Sequence, residues 1–297
     1  VLVATGHHWC PRWPDAAGPF DGEERHARDY RSPEAFAGDR VLVVGIGNTG
    51  TGIASDLCRV AETVALSART PAWIMPKYLL GSPLDQWSGP YMERLPVWTR
   101  RWTLQALRWL TVGHQERYGV PTPEHRPLEE HPTLSEEFLA HVDHGRIEMR
   151  PGIDHIEGRD VTFADGQAGR FDAILYATGY EISFPFLPDR VFQVGPEEIG
   201  LYRYVVPPGQ PGLYFLGLVQ PAGPLPPLSE RQSRWIADLL TGTAALPPAG
   251  SVRQWINDER ERRRQRYHES PRHRLEIDYW EYVRQLETER ARGRRRR

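Results

Sequence analysis

Gly45, Gly47 and Gly50 are spaced to hold a pyrophosphate. They lie in VLVVGIGNTGTGIA, residues 41–54, where the apolar β-formers Val41, Leu42, Val43 and Val44 run into a glycine-spaced turn. A helix bearing Ile53, Ala54 and Leu57 at helical spacing follows. In a strand–turn–helix unit of this kind the first glycine makes the tight turn. The second admits phosphate where a Cβ would stand, and the third lets the helix sit close on the strand. Asn48 and Thr49 open the helix, and the free N–H groups and partial positive charge of its N-terminus complete an anion site. This is dinucleotide-binding chemistry.

Which dinucleotide is decided at the end of the next strand, where an NAD enzyme carries Asp or Glu for the ribose hydroxyls. TVALSART, residues 63–70, ends in Ser67, Arg69 and Thr70, with no carboxylate. A guanidinium fork with two hydroxyls suits a ribose 2′-phosphate, so NADPH is expected.

The elements that must position these residues alternate strand and helix, an α/β pattern. At 297 residues, 39% of them hydrophobic, the chain has room for one large or two ordinary domains. A net charge of −2 argues against nucleic acid as the main partner. The basic end, Arg290 to Arg297, reads as a disordered solubilising tail. Two cysteines, Cys10 and Cys58, form no CxxC pair, so a cytoplasmic, reducing setting is expected, with no disulfide framework. The eleven histidines show no metal-ligand spacing, and no metal site is assigned.

Ala-Thr-Gly occurs twice, at residues 4–6 and 177–179, each time closing a β-rich run. Two such exits suggest two nucleotide-binding sheets joined by crossing linkers. A hairpin is predicted around Asp165-Gly166, and LYFLGLVQP (213–221) reads as a buried strand. Ser229 with Gln232 reads as a capping box before Trp235, Ile236, Leu239 and Leu240. Residues 76–143 interrupt the alternation with an amphipathic stretch, PVWTRRWTLQALRWL. Trp98, Trp102, Ala106 and Trp109 or Leu110 share one face; Arg101, Gln105 and Arg108 share another. Such a helix could lie on a membrane surface. Packing over a substrate channel or in a homodimer contact explains the same stripe and is preferred. No apolar run is long enough to span a bilayer.

FDGEERHARDY, residues 20–30, matches the fingerprint FxGxxxHxxx(F/Y/W) through Phe20, Gly22, His26 and Tyr30. With the glycine turn that follows it, LYATGYEISFPFL and YFLGLVQP, this stretch resembles the flavin-containing monooxygenases from Val1 to about Trp235. The resemblance implies a Rossmann-like NADPH-binding domain inserted in a FAD-binding domain of the same type. It also implies that NADPH reduces FAD, that O2 adds to the reduced flavin as a C4a-hydroperoxide, and that a small-molecule N or S nucleophile takes the distal oxygen. His26 and Tyr30 would couple the linker to domain motion. Thr5, Gly6, Gln220 and Ser229 would lie toward FAD. The nearest rival is a Baeyer–Villiger monooxygenase, whose fingerprint usually ends in Trp where Tyr30 stands; an inactive NADP-binding module is the other.

The domains expected are residues 1–35 as FAD-domain remnant and linker, 36–175 for NADPH with the insert 76–143, and 176–245 as the later FAD part. Residues 246–297 are expected to form peripheral helices and the basic tail. VLVATG reads as the end of a strand, and no glycine motif for FAD precedes it, so the FAD domain is expected to be incomplete here. The asparagine that the family places beside the flavin would belong to the preceding segment, and no catalytic residue is assigned. The chain by itself is expected to be inactive.

Overall fold

The structure is a computed structural model and describes residues 1–15, 17–79, 81–83, 97–124, 132–195, 199–221, 223–266 and 275–297. The chain divides into two compact units, the first containing Val1–Cys10 and Ile182–Arg297, the second Pro11–Leu84 and Val97–Glu181.

The first unit opens with β1 (Leu2–Val3), which leads into Ala4-Thr5-Gly6. The second unit then runs β2 (Glu23–His26), β3 (Arg40–Val44), α1 (Asn48–Leu57) and β4 (Thr63–Ser67). β5 (Ile74–Met75) leads into the insert, which carries α2 (Val97–Thr111), β6 (Thr133–Leu134) and α3 (Phe138–Asp143). The unit closes with β7 (Glu148–Arg150), the meander β8 (Ile153–Glu157), β9 (Asp160–Phe163) and β10 (Ala168–Arg170), and β11 (Ala173–Tyr176).

A five-stranded parallel sheet in the order β7-β4-β3-β11-β2 is the frame of this unit. Successive side chains of a strand point to opposite faces, and here both faces are covered. Val41, Val43, Val64, Leu66 and Leu175 pack with Ile53, Ala54 and Leu57 of α1. Leu42, Ala65, Ile174 and Tyr176 pack with Val161, Phe163 and Phe171 of the meander. Double coverage is why β3 reads as an unbroken apolar run instead of an alternating one. The hairpin predicted at Asp165-Gly166 joins β9 to β10, with Gly166 at φ 79°.

Several expectations need correction. Residues 20–30 are more than a connector: β2 is the edge strand beside β11, so the compact unit containing β3 begins at Pro11 and not near residue 36. On the aromatic face of α2, Trp102, Trp109 and Leu110 are exposed. Arg108 turns inward instead, stacked 4.5 Å over the Trp73 ring and donating to the Gly113 carbonyl. Its long stem and planar head stack well on an indole, which makes a buried arginine tolerable. The side chains of Trp98 and Arg101 lie outside the described residues.

The first unit resumes with β12 (Tyr214–Phe215), parallel to β1, then β13 (Gln220–Pro221), α4 (Leu225–Leu240) and α5 (Ala249–Arg266). It ends with β14 (Glu276–Ile277), parallel to β13, and α6 (Tyr279–Arg295). The capping box does not form. Helix α4 starts four residues before Ser229, at Leu225, with proline in its first turn, where the missing N–H costs nothing. Nor are the last helices peripheral: Val252, Ile256, Tyr279, Tyr282, Val283 and Leu286 share a core with Trp235 and Ile236. The basic end is helical through Arg295. Asp238 takes Arg290 at 2.5 Å and Arg294 at 3.0 Å, and the buried Glu289 takes Arg296 at 2.6 Å. Acidic partners on α4 and within α6 itself turn a charge run into a docked helix.

Candidate nucleotide-binding site

The glycine turn is built tightly. Gly45 stands at φ 118°, and a Cβ there would lie 2.6 Å from the Ala177 carbonyl oxygen at the end of β11. A Cβ at Gly50 would fall onto the Gly45 carbonyl oxygen, so the third glycine lets α1 begin against the turn itself. Gly47 is the N-cap, with extended backbone and no side chain to cap the helix. The first acceptor inside the helix is the Gly47 carbonyl, which takes Thr51 N–H at 3.0 Å. The N–H groups of Asn48, Thr49 and Gly50 precede it and have no intrahelical acceptor. The first turn carries no acidic residue. These features fit an anionic phosphate ligand.

Two side chains hold the turn in place, Thr133, which the sequence left unassigned, and Asn48, expected at the pyrophosphate. Thr133 of β6 donates to the Ile46 carbonyl at 2.8 Å, and the Asn48 amide oxygen accepts Leu134 N–H at 2.7 Å. The side chain of Asn48 therefore braces the insert, leaving its backbone N–H to face a ligand. Nothing in local sequence links residues 87 positions apart, so Thr133 could not be read from motif spacing.

At the end of β4 the three expected residues separate. Arg69 and Thr70 are exposed, and neither makes an ion pair or hydrogen bond among the described residues. Ser67 is buried and donates its hydroxyl to the Pro151 carbonyl at 2.7 Å. It lies inside the sheet, between β3 and β7, and ties down the loop after β7 instead of presenting a phosphate ligand.

The fingerprint residues all belong to the second unit. Phe20 makes an isolated bridge to Gly158, and a Cβ on Gly22 would collide with the Phe20 ring and the Asp172 carbonyl. His26 is buried; its Nδ1 accepts Arg28 N–H at 3.1 Å, so the ring proton sits on Nε2 and is donated to the Gly179 carbonyl at 3.1 Å. Burial holds its pKa below the ordinary histidine value, against the opposing Gly179 contact and Asp29, so the ring is kept neutral. Tyr30 stacks on Phe36 and donates to Asp56 Oδ2 on α1 at 3.1 Å. Burial and that carboxylate push the phenol well above its usual range. Within five residues, then, the segment grips both the exit of β11 and the helix of the glycine turn.

In the first unit, β1 and β12 are parallel and Leu216 N–H donates to the Val3 carbonyl, so Thr5-Gly6 and the turn at Gly217 leave the same edge. Gly6 and Gly217 are both left-handed, at φ 71° and 73°. The Ser229 hydroxyl lies beside Gly217, where a Cβ would stand 3.3 Å away. Gln220 is half-buried in β13, paired with Glu276 of β14. Gln232, expected from the sequence as half of a capping box, is instead fully buried; it accepts Gly217 N–H and donates to the Tyr282 hydroxyl, both at 2.8 Å.

Two parallel-strand units, one bearing a glycine turn on an uncapped helix, define an α/β nucleotide-binding protein. The chain matches the flavin-binding monooxygenase-like family over residues 1–291 and belongs to it. FAD and NADPH are the cofactors of that family. Flavin-containing monooxygenase 5 of Oryctolagus cuniculus is 33% identical over 298 residues, 96% of this chain and 56% of the relative. Dimethylaniline monooxygenase [N-oxide-forming] 2 of Rattus norvegicus is 32% identical over 97% of this chain and 56% of its own. The chain thus spans a little over half the length of these relatives. Its fold is similar to that of cyclohexanone monooxygenase from Rhodococcus sp. Phi1 bound to NADP+, with TM-score 0.64 and 16% identity over 99% of this chain and 73% of that one. No helix among the described residues is long and apolar enough to cross a membrane.

Proposed function

We propose that the protein carrying this chain is an NADPH- and FAD-dependent monooxygenase that oxygenates a soft nitrogen or sulfur nucleophile. The observation that carries the cofactor half of this reading is the uncapped α1 N-terminus packed against Gly45. The N–H groups of Asn48, Thr49 and Gly50 take the NADPH pyrophosphate, with Gly45 and Gly47 clearing its approach. Arg69 and Thr70 take the 2′-phosphate, while Ser67 holds the adjoining loop. His26 and Tyr30 hold the linker on this unit. In the first unit, Thr5, Gly6, Gln220 and Ser229 belong to the later part of the FAD domain.

When bound, FAD and NADPH supply the hydride and oxygen-transfer chemistry; the protein places them and excludes water. The choice of N or S over a ketone rests on the name of the rat relative and on Tyr30, which occupies the fingerprint position usually given to Trp in Baeyer–Villiger enzymes.

The test is to purify the full-length protein, measure bound flavin by its visible absorbance, and follow NADPH and O2 consumption with a tertiary amine, a thioether and a cyclic ketone. N-oxide or sulfoxide as product supports the reading. Lactone from the ketone, with amine and thioether untouched, replaces it with the Baeyer–Villiger one.

A further inference from the structure

The segment leaving β1 buries a polar ring that has nothing to bond to among the described residues. His7 is 9% exposed, and among the described residues neither of its ring nitrogens has a hydrogen-bond partner. Two residues on, the buried indole N–H of Trp9 has no partner among the described residues either. Burial, reinforced by His8, lowers the His7 pKa to about 4, so the ring is neutral at physiological pH and carries one N–H donor and one acceptor. Native interiors leave few such groups unmatched, because each forfeits its bonds to water without replacement. The ring is also fixed in place: His8 stands edge-on to it, centroids 4.1 Å apart.

Its position in the fold says what kind of partner is due. His7 follows Thr5-Gly6 out of the carboxyl end of β1, at the edge shared with the turn at Gly217. In open parallel sheets, ligands bind outside the carboxyl ends of the strands. Gly6 is left-handed with nothing within 4 Å of where a Cβ would lie, so the backbone before the ring is open to close approach. We propose that His7 is a binding residue for the flavin dinucleotide, its imidazole hydrogen-bonding a polar group of bound FAD. This rests on the proposed function. It adds a contact that neither the glycine motif nor the fingerprint contains, and it distinguishes His7 from its neighbour His8, which is exposed and already engaged within the protein.

The experiment uses the full-length protein, stripped of flavin and titrated with FAD. His7→Phe keeps a ring of similar shape without nitrogen, while His7→Asn and His7→Gln place an amide near Nδ1 or Nε2. The expected result is FAD affinity weakened by about tenfold or more in His7→Phe, restored in large part by one of the amides, with NADPH affinity within about twofold of wild type. The imidazole 15N resonances of His7 in the wild-type protein are expected to shift when FAD is added. FAD affinity unchanged in His7→Phe overturns the proposal, and if the apoprotein melting temperature falls at the same time, the partner of the ring is protein. Should His7→Phe fail to fold, the 15N resonances decide: a shift supports the contact and its absence removes it. A wild-type protein that binds no FAD would defeat the proposed function itself, a distinct result.

Discussion

In the proposed function, Arg69 is the residue on which the choice of NADPH over NADH turns. It stands exposed where an NAD enzyme has a carboxylate, and its Cγ lies 2.9 Å from where a Cβ on Gly152 would be, so the loop after β7 confines its stem. Arg69→Ala is expected to weaken NADPH binding by about 1.5–3 kcal/mol, the loss of a charge-assisted bond, and to leave NADH nearly unchanged. Equal losses by titration calorimetry would remove the assignment. The histidines make a second prediction. His7 has a folded-state pKa of about 4 against an ordinary 6.5. Its depressed pKa means that the unfolded chain takes up a proton below about 6.5 which the folded ring refuses. The stability it contributes is therefore complete above that pH and is lost as the pH falls toward 4, by at most about 3 kcal/mol. His26 acts in the same direction. Urea denaturation of the flavin-free protein at about pH 7.5 and about pH 4.5 should show this fall, with part of it absent in His7→Phe. An identical fall in the variant would mean that other groups carry the whole effect.

Helix α1 contains two glycines with opposite demands. Gly50 has no space for a side chain because the Gly45 carbonyl fills it, whereas Gly52 has nothing within 4 Å. Gly50→Ala must push the helix off the turn, at a cost of about 1–3 kcal/mol and with loss of NADPH binding. Gly52→Ala is expected to stabilise the protein by up to about 1 kcal/mol through helix propensity alone. Chemical denaturation of both variants checks this, and equal effects would mean that the close approach at Gly50 is not obligatory. The same helix is gripped from the linker by Tyr30, whose bond to Asp56 spans 26 residues of sequence. Tyr30→Phe should cost about 1 kcal/mol, with the stacking on Phe36 kept.

At the scale of the whole molecule, the two units depend on different kinds of contact. The second is organised by one continuous parallel sheet. Among the described residues, the first has two-stranded pairs and relies on helices α4, α5 and α6 around Trp235 and Tyr282. Tyr282 joins them chemically as well: its hydroxyl accepts from Gln232 and donates to the Arg203 carbonyl at 2.6 Å, in a loop where Arg203 and Tyr204 are both left-handed. Tyr282→Phe leaves two buried groups unmatched and should destabilise the protein by about 2–4 kcal/mol. Circular dichroism during thermal unfolding reads this directly. A variant as stable as wild type would mean that water replaces the hydroxyl.

Sequence alone determined what is local. The run Val41–Val44, the spacing of Gly45, Gly47 and Gly50 and the helix from Asn48 are set by backbone sterics within fourteen residues, and they appear in the structure as read. The fingerprint was legible as a pattern, but the partners of His26 and Tyr30, Gly179 and Asp56, were not, because each lies far along the chain. Tertiary structure decided which polar residues remain available. Ser67 looked like a phosphate ligand until the sheet buried it against Pro151, and Ser229 looked like a cap until the helix started four residues earlier. It also decided the fate of the basic end, since charge composition predicts solvation, whereas Asp238, brought alongside by packing of α6 on α4, and Glu289 of α6 itself hold those arginines in a helix. A side chain's chemistry is written in its type, but whether that chemistry is free to act depends on neighbours that only the folded chain supplies.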